Sequence, residues 1–227
     1  MKRLILAACA GLLAAAVASP SFAADLPRPA YKAPIYTAPA FSWSGFYVGL
    51  NVGYGWGKSN WTSGGVTTGD FDVKGWLAGG TLGYNLQTGV WVFGIEGDLD
   101  YSNIKGSTSA GLCVGTTCET RNTYLGTVRG RIGYSFDRFL PYITGGGAFG
   151  GVKMSVPAGS ETDFRFGYAL GAGLEYAFMG SWSAKLEYLY ADLGTANCSA
   201  AVCGGAASGI DVKFRTNIIR AGLNYRF

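Results

Sequence analysis

The sequence predicts an all-β fold: an eight-stranded antiparallel up-and-down transmembrane β-barrel with short periplasmic turns and four longer external loops. Three observations lead to this prediction. Eight segments between residues 43 and 227 alternate apolar residues with glycine and polar residues, which is the two-residue period of a β-strand. Short and long connections between these segments alternate along the chain. Aromatic residues make up 15% of the sequence and there are 37 glycines, whereas charged residues make up only 14%.

The first and last segments show the alternation most clearly. The apolar parity of the first segment consists of Phe46, Val48, Leu50, Val52, Tyr54 and Trp56. The apolar parity of the last segment consists of Ile219, Ala221, Leu223, Tyr225 and Phe227. Glycine, asparagine and arginine occupy the positions between them. Each segment therefore predicts a strand with one apolar face and one polar or small face.

Charged residues in these segments fall on the polar parity, which we assign to the barrel interior. They are Glu96, Asp98, Asp100, Arg129, Arg131, Arg165, Glu175, Lys185, Glu187, Arg220 and Arg226. Because the two signs nearly balance and alternate between neighbouring segments, we expect a ladder of ion pairs across the lumen. A narrow solute path between these charges is the alternative. The fifth segment, PYITGGGAFGGVK, is too rich in glycine for its parity to be assigned.

The connections between segments differ in length in a regular way. Hairpin-length turns are expected at 88–89, 137–139 and 179–181. Longer connections are expected at 58–72, 103–121, 155–162 and 194–210. Aromatic residues beside the short turns or the start of the barrel should form a girdle at the periplasmic interface: Phe46, Trp91, Tyr142 and Trp182.

The size of the side chains predicts which face of the sheet meets lipid. An eight-stranded barrel has an interior just wide enough to be filled by side chains. Tryptophan, tyrosine and phenylalanine at every other position are too bulky for it, so the small and polar parity faces inward. Outward aromatic residues require lipid as their solvent, and a sheet in lipid closes on itself so that no backbone group lacks a partner.

The chain divides into three regions. Two cations, an apolar run and a small-residue cleavage site predict a signal peptide over residues 1–23. Residues 24–42 hold four prolines and predict an extended periplasmic leader. Residues 43–227 form the barrel. Without Lys2 and Arg3 the 18 basic residues fall to 16 against 14 acidic ones, a net charge too small to indicate a nucleic-acid partner.

The absence of histidine from the sequence narrows the chemistry that can be expected. Histidine is the residue that most often acts as a general base near neutral pH, so we expect no catalytic residues and no enzyme activity. Histidine is also the commonest proximal haem ligand, which disfavours haem binding, and we predict neither a cofactor nor a metal site.

Two stretches carry a resemblance to a known family. The leader AADLP, its proline-rich continuation and the stretch FSWSGFYVGLNVGYGWG resemble the small outer-membrane proteins of alphaproteobacteria. These are porin-family surface antigens, some of them described as haemin-binding. The resemblance implies the outer membrane of a Gram-negative cell, contact with its lipid and lipopolysaccharide, and loops open to host or phage surface ligands. Tyr225 and Phe227 resemble the C-terminal signal read by the barrel-assembly machinery.

The function that these features favour is an integral outer-membrane barrel that supports envelope integrity and surface contact. Two alternatives stay open: a small-solute porin, and a surface protein that binds haemin or a host factor. Single-channel conductance would distinguish the small-solute porin from the favoured function. A haem absorbance shift on titration would distinguish the haemin-binding protein from it.

Four cysteines remain after the signal peptide, two in each of two predicted external loops. They are Cys113 with Cys118 and Cys198 with Cys203. Export through an oxidising periplasm predicts two local disulfides, each contributing roughly 2 kcal/mol in the chain-entropy model. We therefore expect a free-thiol assay on the non-reduced mature protein to find no reactive cysteine. Reaction of all four thiols would contradict the pairing.

Overall fold

The computed structural model describes residues 41–109, 117–156, 159–198 and 210–227. The predicted signal peptide and nearly all of the predicted leader lie outside these residues. Within the described residues, no helix is long and apolar enough to cross a membrane.

Nine strands follow one another along the described chain. Their bounds are β1 (Gly45–Ser63), β2 (Val66–Thr67), β3 (Phe71–Thr88), β4 (Trp91–Thr108), β5 (Cys118–Tyr134), β6 (Phe139–Val156), β7 (Gly159–Met179), β8 (Trp182–Cys198) and β9 (Ile210–Arg226). Each long strand pairs antiparallel with the next, and β1 pairs with β9 to close the ring. The two-residue β2 pairs only with the end of β1. The predicted eight-stranded antiparallel barrel is confirmed, and β2 is the addition that the sequence pattern does not show.

The pairing register fixes the tilt of the strands. Register partners can be followed from Phe46 on β1 through every long strand in turn. After one circuit of the ring they return to β1 at Trp56, ten residues beyond Phe46. With strands about 4.8 Å apart and a rise of about 3.3 Å per residue, this offset gives a tilt of roughly 40°.

The long strands run farther than the alternating pattern indicates. They contain 17 to 21 residues, whereas a tilted strand needs about ten to cross a bilayer. The surplus lies at the external end, where Val156 still pairs with Gly159 inside the predicted 155–162 loop. The predicted loop bounds were therefore too wide. Outside the lipid the strands contain serine, threonine and glycine, so the apolar alternation that marks a strand in the sequence stops there. The backbone pairing nevertheless continues.

The short turns have a backbone that explains their composition. Gly89, between β3 and β4, has a φ of 62°, and Gly180, between β7 and β8, has a φ of 49°. Residues with a side chain rarely adopt this left-handed conformation, so glycine makes these tight turns possible. The third turn uses Asp137, with a φ of 56°.

The outer face of the barrel is apolar, as the parity argument predicts. Leu50 and Phe166 are each 74% exposed, and Phe46, Trp91 and Trp182 also face outward. Tyr142 does not join them, because its side chain is buried inside the barrel. Its placement in the periplasmic girdle was therefore wrong. The glycine-rich β6 gave no parity signal, and Tyr142 turns inward opposite Gly173, where the absence of a side chain leaves room for its ring.

Trp43 closes the periplasmic end of the barrel. It precedes β1 and packs with Val92, Leu140 and Ala177, all buried, and its indole Nε1 donates a hydrogen bond of 2.9 Å to the carbonyl oxygen of Asp137. Trp43 therefore occupies the periplasmic mouth of the barrel, just before β1 begins.

We expect Trp43→Ala to lower the free energy of unfolding by about 3 kcal/mol, because it empties a packed site at the barrel mouth. Trp43→Phe keeps most of the packing and loses the indole hydrogen bond, so its loss should be about 1 kcal/mol. Urea titration of vesicle-embedded protein, followed by circular dichroism, measures both. Equal losses in the two variants would contradict the packing role.

Candidate functional site

The periplasmic half of the lumen holds a cluster of charged side chains, which we call the interior charge network. Nine of the predicted interior charges form it, and all nine are buried: Glu96, Asp98, Asp100, Arg129, Arg131, Glu175, Lys185, Glu187 and Arg220. They come from β4, β5, β7, β8 and β9, so the cluster spans the lumen. Their side chains are at most 3% exposed.

Two arginines form the centre of the network. The Arg129 Nη2 atom lies 2.7 Å from both Glu96 Oε1 and Asp98 Oδ2. The Arg220 Nη2 atom lies 3.0 Å from the same Asp98 oxygen and 2.7 Å from Glu187 Oε1. Its Nη1 atom lies 3.1 Å from Asp100 Oδ2. Planar guanidinium groups suit such a cluster because each presents several donors to different carboxylates.

The second oxygen of Glu96 joins two further cations and a phenol. Lys185 Nζ lies 2.9 Å from Glu96 Oε2, and Arg131 Nη1 lies 3.4 Å from it. The Tyr47 hydroxyl donates a hydrogen bond of 2.8 Å to the same oxygen. A carboxylate surrounded in this way recovers in the protein the interactions that it loses on leaving water.

Nearer the periplasm the network is anchored by Glu175. Arg131 Nη2 lies 2.6 Å from Glu175 Oε2, while the Ser183 hydroxyl and the Asn224 amide donate to Glu175 Oε1 at 2.6 and 2.9 Å. The Arg131 guanidinium also lies over the Tyr142 ring, 4.3 Å from its centroid. The arginine is thus held by a carboxylate and by an aromatic face.

The network contains five carboxylates and four cations, and each carboxylate contacts at least one cation within 3.4 Å. The carboxylates are thus engaged by arginine or lysine. The arrangement fills this part of the lumen with polar groups that pair with one another across five strands.

The two remaining predicted interior charges lie elsewhere. Arg165 is half-buried toward the external end and forms an ion pair with Asp163 on its own strand. Arg226 lies at the periplasmic mouth, where its guanidinium stands 4.4 Å from the centroid of the Phe41 ring. The single ladder expected from parity is therefore one compact network with two separate outliers.

Sequence reasoning missed the tyrosines of the lumen. Tyr47 and Tyr142 are both buried, and each hydroxyl donates to a carboxylate of the network. A Cβ atom at Gly83 would overlap the Tyr47 ring, and one at Gly173 would overlap the Tyr142 ring. The interior glycines make room for large neighbours. Tyr47 lies on the polar parity of its segment, and this position in the sequence indicates an inward side chain.

The external half of the lumen is filled differently from the expected small and charged interior. It holds a buried apolar cluster that includes Trp61, Leu77, Ile104, Leu125, Met154, Leu189, Leu193, Phe214 and Ile218. Register shifts accompany this change, between Tyr101 and Ile104 on β4 and between Asn122 and Tyr124 on β5. The expectation of a uniformly small and polar interior was wrong, because it placed external ends of the strands in loops, among them Trp61 and Ile104. Leu77, Leu189 and Ile218 also continue the inward parity of their strands with apolar side chains.

The other predicted site residues lie at the two ends of the barrel. Cys118 is buried at the start of β5, and Cys198 is the last residue of β8. Cys113 and Cys203 lie outside the described residues, so both pairings stay predictions. Tyr225 and Phe227 face outward at the periplasmic end with ring centroids 5.2 Å apart.

We expect Arg220→Met to lower the free energy of unfolding by about 3 to 5 kcal/mol, because it leaves buried carboxylates without their cation. Arg215→Met on the same strand is the matched control. Arg215 pairs with Asp192 at 3.1 Å, but its side chain is 59% exposed, so its loss should cost about 1 kcal/mol or less. Urea titration in vesicles measures both, and equal losses would contradict a stabilising network.

Comparison with known proteins agrees with this architecture. Residues 5–227 match the family model described as outer membrane protein beta-barrel domain. The 31 kDa outer-membrane immunogenic protein of Brucella melitensis is 36% identical over 248 residues, covering 100% of both chains. The 25 kDa outer-membrane immunogenic protein of Brucella abortus is 34% identical over 229 residues, covering 100% of this chain and 99% of that protein.

A solved structure and a further relative are also similar. Neisserial surface protein A aligns with 81% of this chain and 98% of its own, with a TM-score of 0.49 and 16% sequence identity. The 22 kDa outer membrane protein of Rhizobium leguminosarum is 40% identical over 167 residues, 72% of this chain and 69% of that protein. The resemblance to alphaproteobacterial outer-membrane proteins is thus confirmed, and the chain belongs to the outer membrane protein β-barrel family of the cell outer membrane.

Proposed function

We propose that this protein is a closed, non-conducting barrel that strengthens the outer membrane and presents its external end for surface contact. The observation that carries the proposal is the filling of the lumen at three successive levels. Trp43 lies at the periplasmic mouth, the interior charge network fills the next level, and the apolar cluster fills the external half.

The charge network argues against a water-filled path. A solute pore needs charged groups that remain hydrated as ions pass, whereas the network's side chains are at most 3% exposed. Opening a path past Arg129 or Arg220 would separate each from several carboxylates at once. The free energy needed to separate these buried ion pairs makes spontaneous opening rare. The porin alternative therefore receives no support from the described lumen.

Surface contact is supported by the strands that continue past the lipid. β1 extends to Ser63 and pairs with β2 beyond its last partner on β3, so a short hairpin stands at the external rim. The Brucella relatives are named outer-membrane immunogenic proteins. We extend this property to the external rim of the present chain.

Assembly by the barrel machinery is a further part of the proposal. Tyr225 and Phe227 are exposed at the periplasmic end of β9, the strand that closes the ring against β1. The Phe227 amide donates a hydrogen bond of 2.9 Å to the carbonyl oxygen of Phe46. An aromatic signal on the closing strand would stay accessible until closure is complete.

Planar-bilayer recording tests the closed barrel. We expect refolded residues 24–227 to produce no stable openings, after heat-modifiable migration on a gel has confirmed folding. Trp43→Ala should also stay silent, because the two layers above it remain packed. Stable unitary currents from the wild-type protein would overturn the proposal and favour a small-solute porin. Currents only from Trp43→Ala would place the seal at Trp43 alone.

A further inference from the structure

The outer wall carries a second charged feature, which the interior network does not include. Four cations on four adjacent strands are direct partners in the pairing register: Lys74 on β3, Lys105 on β4, Arg121 on β5 and Lys153 on β6. We call them the cation row. It covers three strand spacings, or about 14 Å.

The cation row faces outward. On each strand the residues beside it turn into the lumen, where Val73, Ile104, Asn122 and Val152 are buried. Since successive residues of a strand alternate between the two faces, the row lies on the outside of the barrel. Lys74 and Lys105 are exposed, and Arg121 and Lys153 are partly exposed.

The cation row lies at the external border of the apolar band. On each of the four strands, the row residue is the first charged residue on the outer face after an aromatic one. The aromatic residue and its cation are Trp76 and Lys74, Tyr101 and Lys105, Tyr124 and Arg121, and Phe149 and Lys153. Aromatic residues of this kind mark the membrane interface. The cations beyond them therefore stand at the depth of lipid headgroups.

Like charges directly opposite each other destabilise a sheet. Asp72 and Glu119 lie two residues away along their strands, yet within the described residues no ion pair joins an acidic group to the cation row. The buried Arg121 Nε has no hydrogen-bond partner there either. On the far wall, by contrast, the outward-facing Arg215 is paired with Asp192. A row of adjacent cations without acidic partners indicates an anion supplied from outside the chain.

We propose that the cation row binds the phosphate groups of an anionic glycolipid in the outer leaflet, of the lipopolysaccharide type. The row adjoins the lipid-facing band, so the ligand must itself be held in the bilayer. Four cations over about 14 Å match a headgroup with two phosphates on linked sugars better than a phospholipid with one. This inference rests on the membrane location of the barrel and is independent of whether the lumen conducts.

Retention of lipid A by micelle-embedded residues 24–227, measured by native mass spectrometry, tests the proposal. The row variant combines Lys105→Gln, Arg121→Gln and Lys153→Gln. The control variant combines Lys58→Gln, Lys213→Gln and Arg215→Gln, which removes the same charge from the outer wall of β1 and β9. A third variant, with Lys105→Arg, Arg121→Lys and Lys153→Arg, retains the charge. Heat-modifiable migration confirms that each variant is folded.

We expect the row variant to bind bisphosphorylated lipid A about 100-fold more weakly than wild type, because each cation near anionic lipid contributes about fivefold. The charge-retaining variant should stay within about threefold of wild type. The control should lose less affinity than the row variant, because Arg215 is already paired with Asp192 and the three control cations do not form one row of register partners. Equal losses in the row and control variants would overturn the proposal. So would equal affinity for phosphatidylglycerol, or displacement of lipid A by millimolar inorganic phosphate, since either result would show no selection for the glycolipid. Failure here leaves the closed-lumen proposal untouched, because that depends on conductance alone.

Discussion

Closure of the sheet by pairing of β1 with β9 is the constraint on which the rest of the structure depends. The pairing is continuous from Tyr47 with Arg226 to Thr62 with Asp211, so neither edge strand exposes its backbone groups to lipid. Closure with eight long strands and an offset of ten residues also fixes a narrow lumen. A lumen of this width is filled by side chains, and the choice of those side chains decides what the barrel can do.

The lumen is filled by complementary sizes across strands. Tyr47 lies directly opposite Gly83, and Tyr142 lies directly opposite Gly173. The interior glycines are therefore partners of large side chains and do not create open space. The same principle separates two chemistries along the axis. Near the periplasm, arginine guanidinium groups pair with carboxylates. Toward the exterior, apolar side chains pack with one another. Ion pairs and hydrogen bonds within the charged layer offset most of the cost of burying its polar groups.

The fold and most of the charge network could be predicted from sequence because both depend on parity. A period of two identified the strands, and charges on the inward parity identified nine members of the network. The apolar cluster and the full strand lengths could not be predicted in this way. Apolar residues such as Leu189 and Ile218 lie on the inward parity, where small and polar residues were expected, and Trp61 lies at a strand end that the pattern assigned to a loop. On β5 the register shift between Asn122 and Tyr124 also exchanges the two faces. Beyond the lipid, the outer face no longer needs apolar residues, so the alternation that marks a strand disappears.

Inward and outward charges meet different solvents, and the structure treats them differently. Arg129, buried in the lumen, has carboxylates within 3.2 Å from β4 and β8, because the interior offers no water to stabilise an unpaired charge. Arg121, also on β5, faces outward beside other cations, where headgroups and water can supply the counter-charge. One strand thus carries one arginine whose partners are encoded in the chain and another whose partner belongs to the membrane. Arg121 and Arg129 share one parity, and the register shift between Asn122 and Tyr124 places them on opposite faces of the sheet. This shift separates a charge that holds the barrel together from one that engages its surroundings.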